Sequence, residues 1–90
     1  MPQIANRNGI IVEMYFDDHN PPHFHAKYGS YKVSITIGRR KVIAGSFPPK
    51  QLEDIKEWAK YHKLQLLHNW NLMLKGLPLK QIDPYLKGEK

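Results

Sequence analysis

The segment Asp17-Asp18-His19-Asn20-Pro21-Pro22-His23-Phe24-His25 gathers three of the five histidines and two carboxylates within nine residues. Imidazole titrates near neutrality and offers two distinct ring nitrogens, so such a cluster can move protons or hold a metal. As acid–base groups, His19, His23 and His25, with Asp18 beside them, can serve in the manner of metal-free ribonucleases. Those enzymes deprotonate a 2′-hydroxyl and protonate the leaving oxygen. As ligands, the same three imidazoles suit a divalent transition metal, with Asp17 or Asp18 to complete the set. A plainer reading stands beside both. Asp and Asn before prolines form turns, and a histidine at a strand start can simply bond a backbone carbonyl. No other cofactor is indicated, since the sequence has no Gly-rich phosphate loop, serine-nucleophile signature or helix-borne metalloprotease motif.

These residues need elements to position them. Ile10 to Phe16 is β-branched and aromatic and reads as a strand, which Asp17 to Pro22 must end because two prolines remove two donors. His23 to Tyr28 alternates polar and apolar, placing His23 and His25 on one face with Phe24 turned inward. The prolines stiffen the loop before it and are expected to hold His19 near the pair. Gly29-Ser30 is a hairpin turn. Tyr31, Val33, Ile35 and Ile37 line one face of the next strand, and Val42 to Gly45 forms a short fourth. Residues 1–45 are therefore expected to be an antiparallel β-meander of about four strands.

Residues 46–76 read as helix. Pro48-Pro49 suits a first helical turn, and Leu52, Ile55, Ala59, His62, Leu66, Trp70 and Met73 recur at three- and four-residue steps. Tyr61-His62-Lys63 is the weak point, so one long helix or two with a kink are both allowed. Residues 77–90 form an extended tail whose Leu79, Ile82 and Leu86 pack on the domain or on a partner. The whole is one α+β domain. His62, on the apolar stripe, is expected to be a satisfied core histidine, and Trp58 and Trp70 core or interface anchors. A core this small is not expected to cover both tryptophans, Leu66-Leu67 and the tail, so a homodimer or hetero-complex through helix and tail is expected.

Charge narrows the partners. The net charge is +6, and its excess is confined to one side: residues 1–38 balance three Lys and Arg against three Asp and Glu, whereas residues 39–90 carry eleven against five. A sequence pI near 9.7 favours an anionic partner, RNA or DNA. Lys27, Tyr28 and the compact Arg39-Arg40-Lys41 tip are the candidate nucleic-acid contacts, with Tyr28 and Tyr31 able to stack on a base. The absence of cysteine excludes disulfides and thiolate metal sites. No apolar run approaches the ~18 residues of a membrane helix, and residues 1–9 lack a signal-peptide pattern. A cytoplasmic protein is expected.

Met14 to Gly29, with its Asp-His-x-Pro-Pro-His-x-His core, resembles the hallmark of a small bacterial family catalogued as domain of unknown function four-one-six-zero. Met1-Pro2 with Ile4, the helical Trp58, His62, Leu66, Leu67 and Trp70, and the tail residues Gly76, Pro78-Leu79-Lys80 and Ile82-Asp83-Pro84 extend the likeness over nearly the whole chain. The resemblance implies a short cytosolic protein whose gene often neighbours that of another small protein. Such pairs are commonly predicted to be type II toxin–antitoxin modules, with this family as the toxin. It implies an antitoxin-like protein partner and action on RNA or translation; the alternative is a non-catalytic, antitoxin-like regulator that binds nucleic acid or protein and needs no histidine chemistry. It supplies no assigned catalytic residue, so His19, His23 and His25 are candidates by position and chemistry. Two departures bear on any nucleic-acid surface: Arg39-Arg40-Lys41 is unusually basic, and Pro48-Pro49-Lys50 stands where an arginine pair is common.

Overall fold

The computed structural model describes residues 3–89; Met1-Pro2 and Lys90 lie outside them. Among the described residues, five antiparallel strands form one meander in the order β1-β2-β3-β4-β5. They are β1 (Gln3–Arg7), β2 (Ile10–Glu13), β3 (His23–Tyr28), β4 (Tyr31–Thr36) and β5 (Val42–Ser46). Two helices follow, α1 (Pro49–Tyr61) and α2 (Lys63–Leu74). The α+β architecture is the one expected, with one strand more than expected. β1 is short and half polar, yet Ile4, Ala5 and Arg7 are all buried. Asn8 and Gly9 both adopt positive φ and turn β1 into β2, the backbone that a two-residue Asn-Gly hairpin favours. That dipeptide is the local signal for the extra strand. β2 is shorter than expected and ends at Glu13, because Tyr15 and Asp18 bond each other across a turn instead of continuing the ladder.

Alternation assigns the faces. Ile10, Val12, Phe24, Ala26, Val33, Ile35 and Ile37 point into the core, where Phe24 meets Trp58 of α1 edge-on at 6.4 Å. Ile55, Trp58, Ala59, Leu66, Trp70 and Met73 close that core from the helices. Tyr31, expected inward, is exposed at the end of its strand. The opposite face carries Glu13, His25, Lys27, Lys32 and Ser34. Gly45 permits β5 to close against β4. Its φ is +75°, and a Cβ there would strike the backbone carbonyl of Lys32.

The helical half breaks at His62, whose φ of −103° and ψ of 27° depart from helical values. The His62 N–H closes α1 on the Trp58 carbonyl and the Leu66 N–H opens α2 on the His62 carbonyl, so His62 is the junction between two helices. The buried His62 ring donates through Nε2 to the Tyr85 carbonyl at 2.8 Å, as expected of a satisfied core histidine.

The tail packs on its own domain. The Ile82 N–H donates to the Ile4 carbonyl at 2.8 Å, which covers the outer edge of β1. Trp58 Nε1 donates to the Asp83 carbonyl, and Asn69 exchanges two 2.8 Å bonds with the Lys80 backbone. Arg7 donates to the Pro84 carbonyl and pairs with both Asp54 and Glu89. One premise of the partner argument is thereby corrected. Trp58, Trp70, Leu66 and Ile82 are all buried within the chain, with the tail held on Trp58 and Trp70 packed on His23.

Candidate functional site

A tight turn fixes one carboxylate of the Asp17-Asp18 pair. At the end of β2 the Asp18 N–H donates to the Tyr15 carbonyl at 3.0 Å, and the Tyr15 N–H returns a 2.9 Å bond to Asp18 Oδ2. This short turn points the Asp18 carboxylate back over the sheet. The chain then passes through a cis Asn20–Pro21 peptide and re-enters the sheet as β3. The Ile37 N–H donates to the Pro22 carbonyl at 3.0 Å and anchors that re-entry.

Strand parity brings His23 and His25 to the carboxylate. His25 Nε2 lies 3.1 Å and 3.2 Å from the two Asp18 oxygens, and His23 Nε2 lies 3.5 Å from Oδ1. Each ring is held from behind. His23 Nδ1 lies 2.7 Å from the Pro21 carbonyl, which can only accept, so Nδ1 carries the hydrogen. His25 Nδ1 lies 3.0 Å from the Ser34 hydroxyl, across the β3–β4 pair that sets His25 opposite Ser34. Rings pack around them: His23 against Trp70 at 5.4 Å, His25 against Tyr15 at 4.4 Å, and the two imidazoles against each other at 5.0 Å. The side chains of Asp18, His23 and His25 are 10%, 11% and 22% exposed, so His25 is the member most open to solvent.

A second polar group adjoins the first. Glu13 stands opposite His25 in the β2–β3 ladder and accepts from the Tyr15 hydroxyl at 2.9 Å and from Lys27 Nζ at 3.0 Å. Burial opposes the ionisation of Glu13. The bonds from Lys27 and Tyr15 outweigh it and hold the carboxyl below its ordinary value. Burial, then the bond to Glu13, raises the Tyr15 phenol. The bond to Glu13 raises Lys27. A groove on this face runs beside His25 and Ser34, with Lys27 and Lys32 along its side and Ala44 at its far wall.

The structure therefore sorts the expected residues. Asp18, His23 and His25 come together, with ligand-capable atoms all within 4.8 Å of one another. His19 does not join them. Its ring is exposed and donates through Nδ1 to the Asp17 carbonyl at 3.0 Å, because the turn closes on itself before the prolines. Asp17 is exposed as well, and Asp18 is the carboxylate beside the imidazoles.

The five expected nucleic-acid contacts divide between two ends of the sheet. Tyr28 packs on Phe47 at 6.2 Å, at the end of β3 away from His23, while Lys27 is paired with Glu13. The Arg39–Lys41 turn lies at the His23 end. Thr36 stands opposite His23 and bonds Lys41 twice, which places that turn about two strand spacings, ~10 Å, from His23. Arg40 is partly spent on the turn, donating to the Gly38 carbonyl at 2.8 Å. Ser34, Glu13 and Tyr15 are site residues that sequence reasoning missed. Their signal lay in strand register, since Glu13 and Ser34 flank His25 on either side.

Residues 9–71 match the model of a protein family described as Domain of unknown function (DUF4160). No curated protein and no solved structure matches the chain. Among the described residues, no helix is long and apolar enough to cross a membrane.

Proposed function

The chain belongs to the family described as Domain of unknown function (DUF4160), and from that premise we propose that it is a toxin-like protein acting on RNA through Asp18, His23 and His25. The observation that carries this reading is the pair of imidazoles on one shared, largely buried carboxylate, beside a groove flanked by lysines. An imidazole that accepts the 2′-hydroxyl proton lets the 2′-oxygen bond phosphorus. A protonated imidazole then supplies the leaving 5′-oxygen as the phosphorus–oxygen bond breaks. The products are a 2′,3′-cyclic phosphate and a 5′-hydroxyl. Pro21 and Ser34 orient the two rings through Nδ1, and Asp18 stabilises whichever ring is protonated. Lys32 and the Arg39–Lys41 turn supply positive charge to the phosphates on either side. A small antitoxin-like protein is the expected partner. Tyr61, Leu64 and Leu74, exposed on the helices, are apolar surface available to it.

The test is tightly controlled induction in a bacterial host, comparing the wild type with His23→Ala/His25→Ala at equal soluble levels. Growth arrest with RNA cleavage by the wild type alone is expected. Equal arrest by both proteins removes the histidines from the mechanism. Arrest by neither favours a non-catalytic binding protein.

A further inference from the structure

We propose that Asp18, His23 and His25 form a binding site for a divalent transition-metal ion, and that zinc is the ion they fit best. The argument begins with hydrogen positions. The Pro21 carbonyl fixes the hydrogen of His23 on Nδ1, so the neutral ring presents a bare Nε2 lone pair to the Asp18 carboxylate at 3.5 Å. Two electron-rich atoms then face each other with no hydrogen between them. A cation placed between them satisfies both. In His25 the 3.1 Å contact with the Asp18 carboxylate, which can only accept, puts the hydrogen on Nε2; a bound cation takes the place of that hydrogen, and Ser34 Oγ then accepts from Nδ1–H.

The outer contacts are those of a ligand set. Metal-bound imidazoles are oriented by a carbonyl, carboxylate or hydroxyl on their other nitrogen, and metal-bound carboxylates are themselves hydrogen-bonded. Here Pro21 and Ser34 hold the two imidazoles, and the Tyr15 N–H holds Asp18 at 2.9 Å. Two imidazoles and one carboxylate suit zinc or another late divalent metal. They lack the oxygen ligands that calcium and magnesium require. Three protein ligands leave a coordination position free, and His25 lies toward solvent.

The site shares its residues with the reading above and adds a regulation to it. Metal binding and imidazole acid–base chemistry need the same Nε2 lone pairs, so an occupied centre cannot use them for proton transfer.

The test is calorimetric titration of tag-free, chelator-stripped full-length protein with zinc chloride, with cobalt(II) as a visible-absorption reporter. The wild type is expected to take up one equivalent and to give ligand-field bands with cobalt. His25→Ala is expected to weaken uptake by roughly 100-fold or more, and Ser34→Ala by roughly 10-fold, since losing an outer contact alone costs 10–100-fold. His19→Ala leaves uptake unchanged. Because His23 packs on Trp70, the wild type also provides a readout free of folding effects: zinc-dependent changes at Nε2 of His23 and His25 in nitrogen-detected NMR spectra. Uptake well below one equivalent, uptake by His25→Ala equal to wild type, or unmoved imidazole signals would overturn the site. If the wild type cleaves RNA, saturating zinc is expected to stop it and chelator to restore it. Zinc uptake without any effect on RNA or growth leaves the metal site standing and removes the proposed RNA activity. Cleavage without uptake does the reverse.

Discussion

Asn69→Ala isolates what the tail contributes to the fold. Asn69 is buried on α2, where its amide donates to the Lys80 carbonyl and accepts from the Lys80 N–H, both at 2.8 Å. Two neutral hydrogen bonds at about 1 kcal/mol each set the loss near 2 kcal/mol. Lys80 is exposed, so water can replace Asn69 at its backbone and no further penalty for stranded groups is added. Alanine also favours a helix interior over asparagine by roughly 0.5 kcal/mol. The net destabilisation is about 1.5 kcal/mol, a fall in Tm of roughly 6–12 °C for a domain of this size. Thermal unfolding followed by circular dichroism gives the shift, and limited proteolysis reports on residues 77–89. Faster tail cleavage is expected to accompany the lower Tm. A Tm within about 2 °C of wild type, with the tail equally protected, would refute the reasoning that Asn69 fastens the tail.

Two further outcomes follow from the backbone and from charge. Gly45→Ala is expected to cost at least 1–2 kcal/mol from the left-handed conformation alone, with the collision against Lys32 added. A denaturant midpoint equal to wild type would refute that placement of β5. Glu89 is held down to about 2, first by its bonds from Arg7 and then by the Leu86 N–H. A depressed carboxyl stabilises the folded state above its ordinary range and loses that contribution as pH falls through the folded value. The Arg7–Glu89 contact is therefore expected to persist through mild acid and to be lost near pH 2. Carbon-detected NMR titration of Glu89 checks this, and a midpoint in the ordinary carboxylate range for the wild type would contradict it.

The sequence was most legible where one periodicity dominated. Val33, Ile35 and Ile37 announced a half-buried strand, and the stripe from Leu52 to Met73 announced the helical half, because each pattern matches the geometry of its element. The weak point at Tyr61-His62-Lys63 became the junction between the two helices. β1 was harder to read, since Gln3, Asn6 and Arg7 dilute its apolar signal and Arg7 is buried only because Asp54 and Glu89 come to it from distant parts of the chain. The burial of both tryptophans was equally hidden, for Trp58 meets a tail that Asn69, His62 and Arg7 hold by its backbone carbonyls, and Trp70 packs on His23 from a distant strand.

The site divides along the same line. Sequence alone determined that histidines and carboxylates would crowd one loop and strand, and that His23 and His25 would share a face, because side chains alternate along a strand. It could not separate Asp18 from Asp17 or exclude His19, since those choices depend on how one turn closes. Only the tertiary structure decided that the Tyr15–Asp18 turn aims one carboxylate at both Nε2 atoms, that His19 bonds its own loop, and that Ser34 stands behind His25. Those contacts join residues fixed by strand register and loop re-entry, which no local pattern of residue types contains.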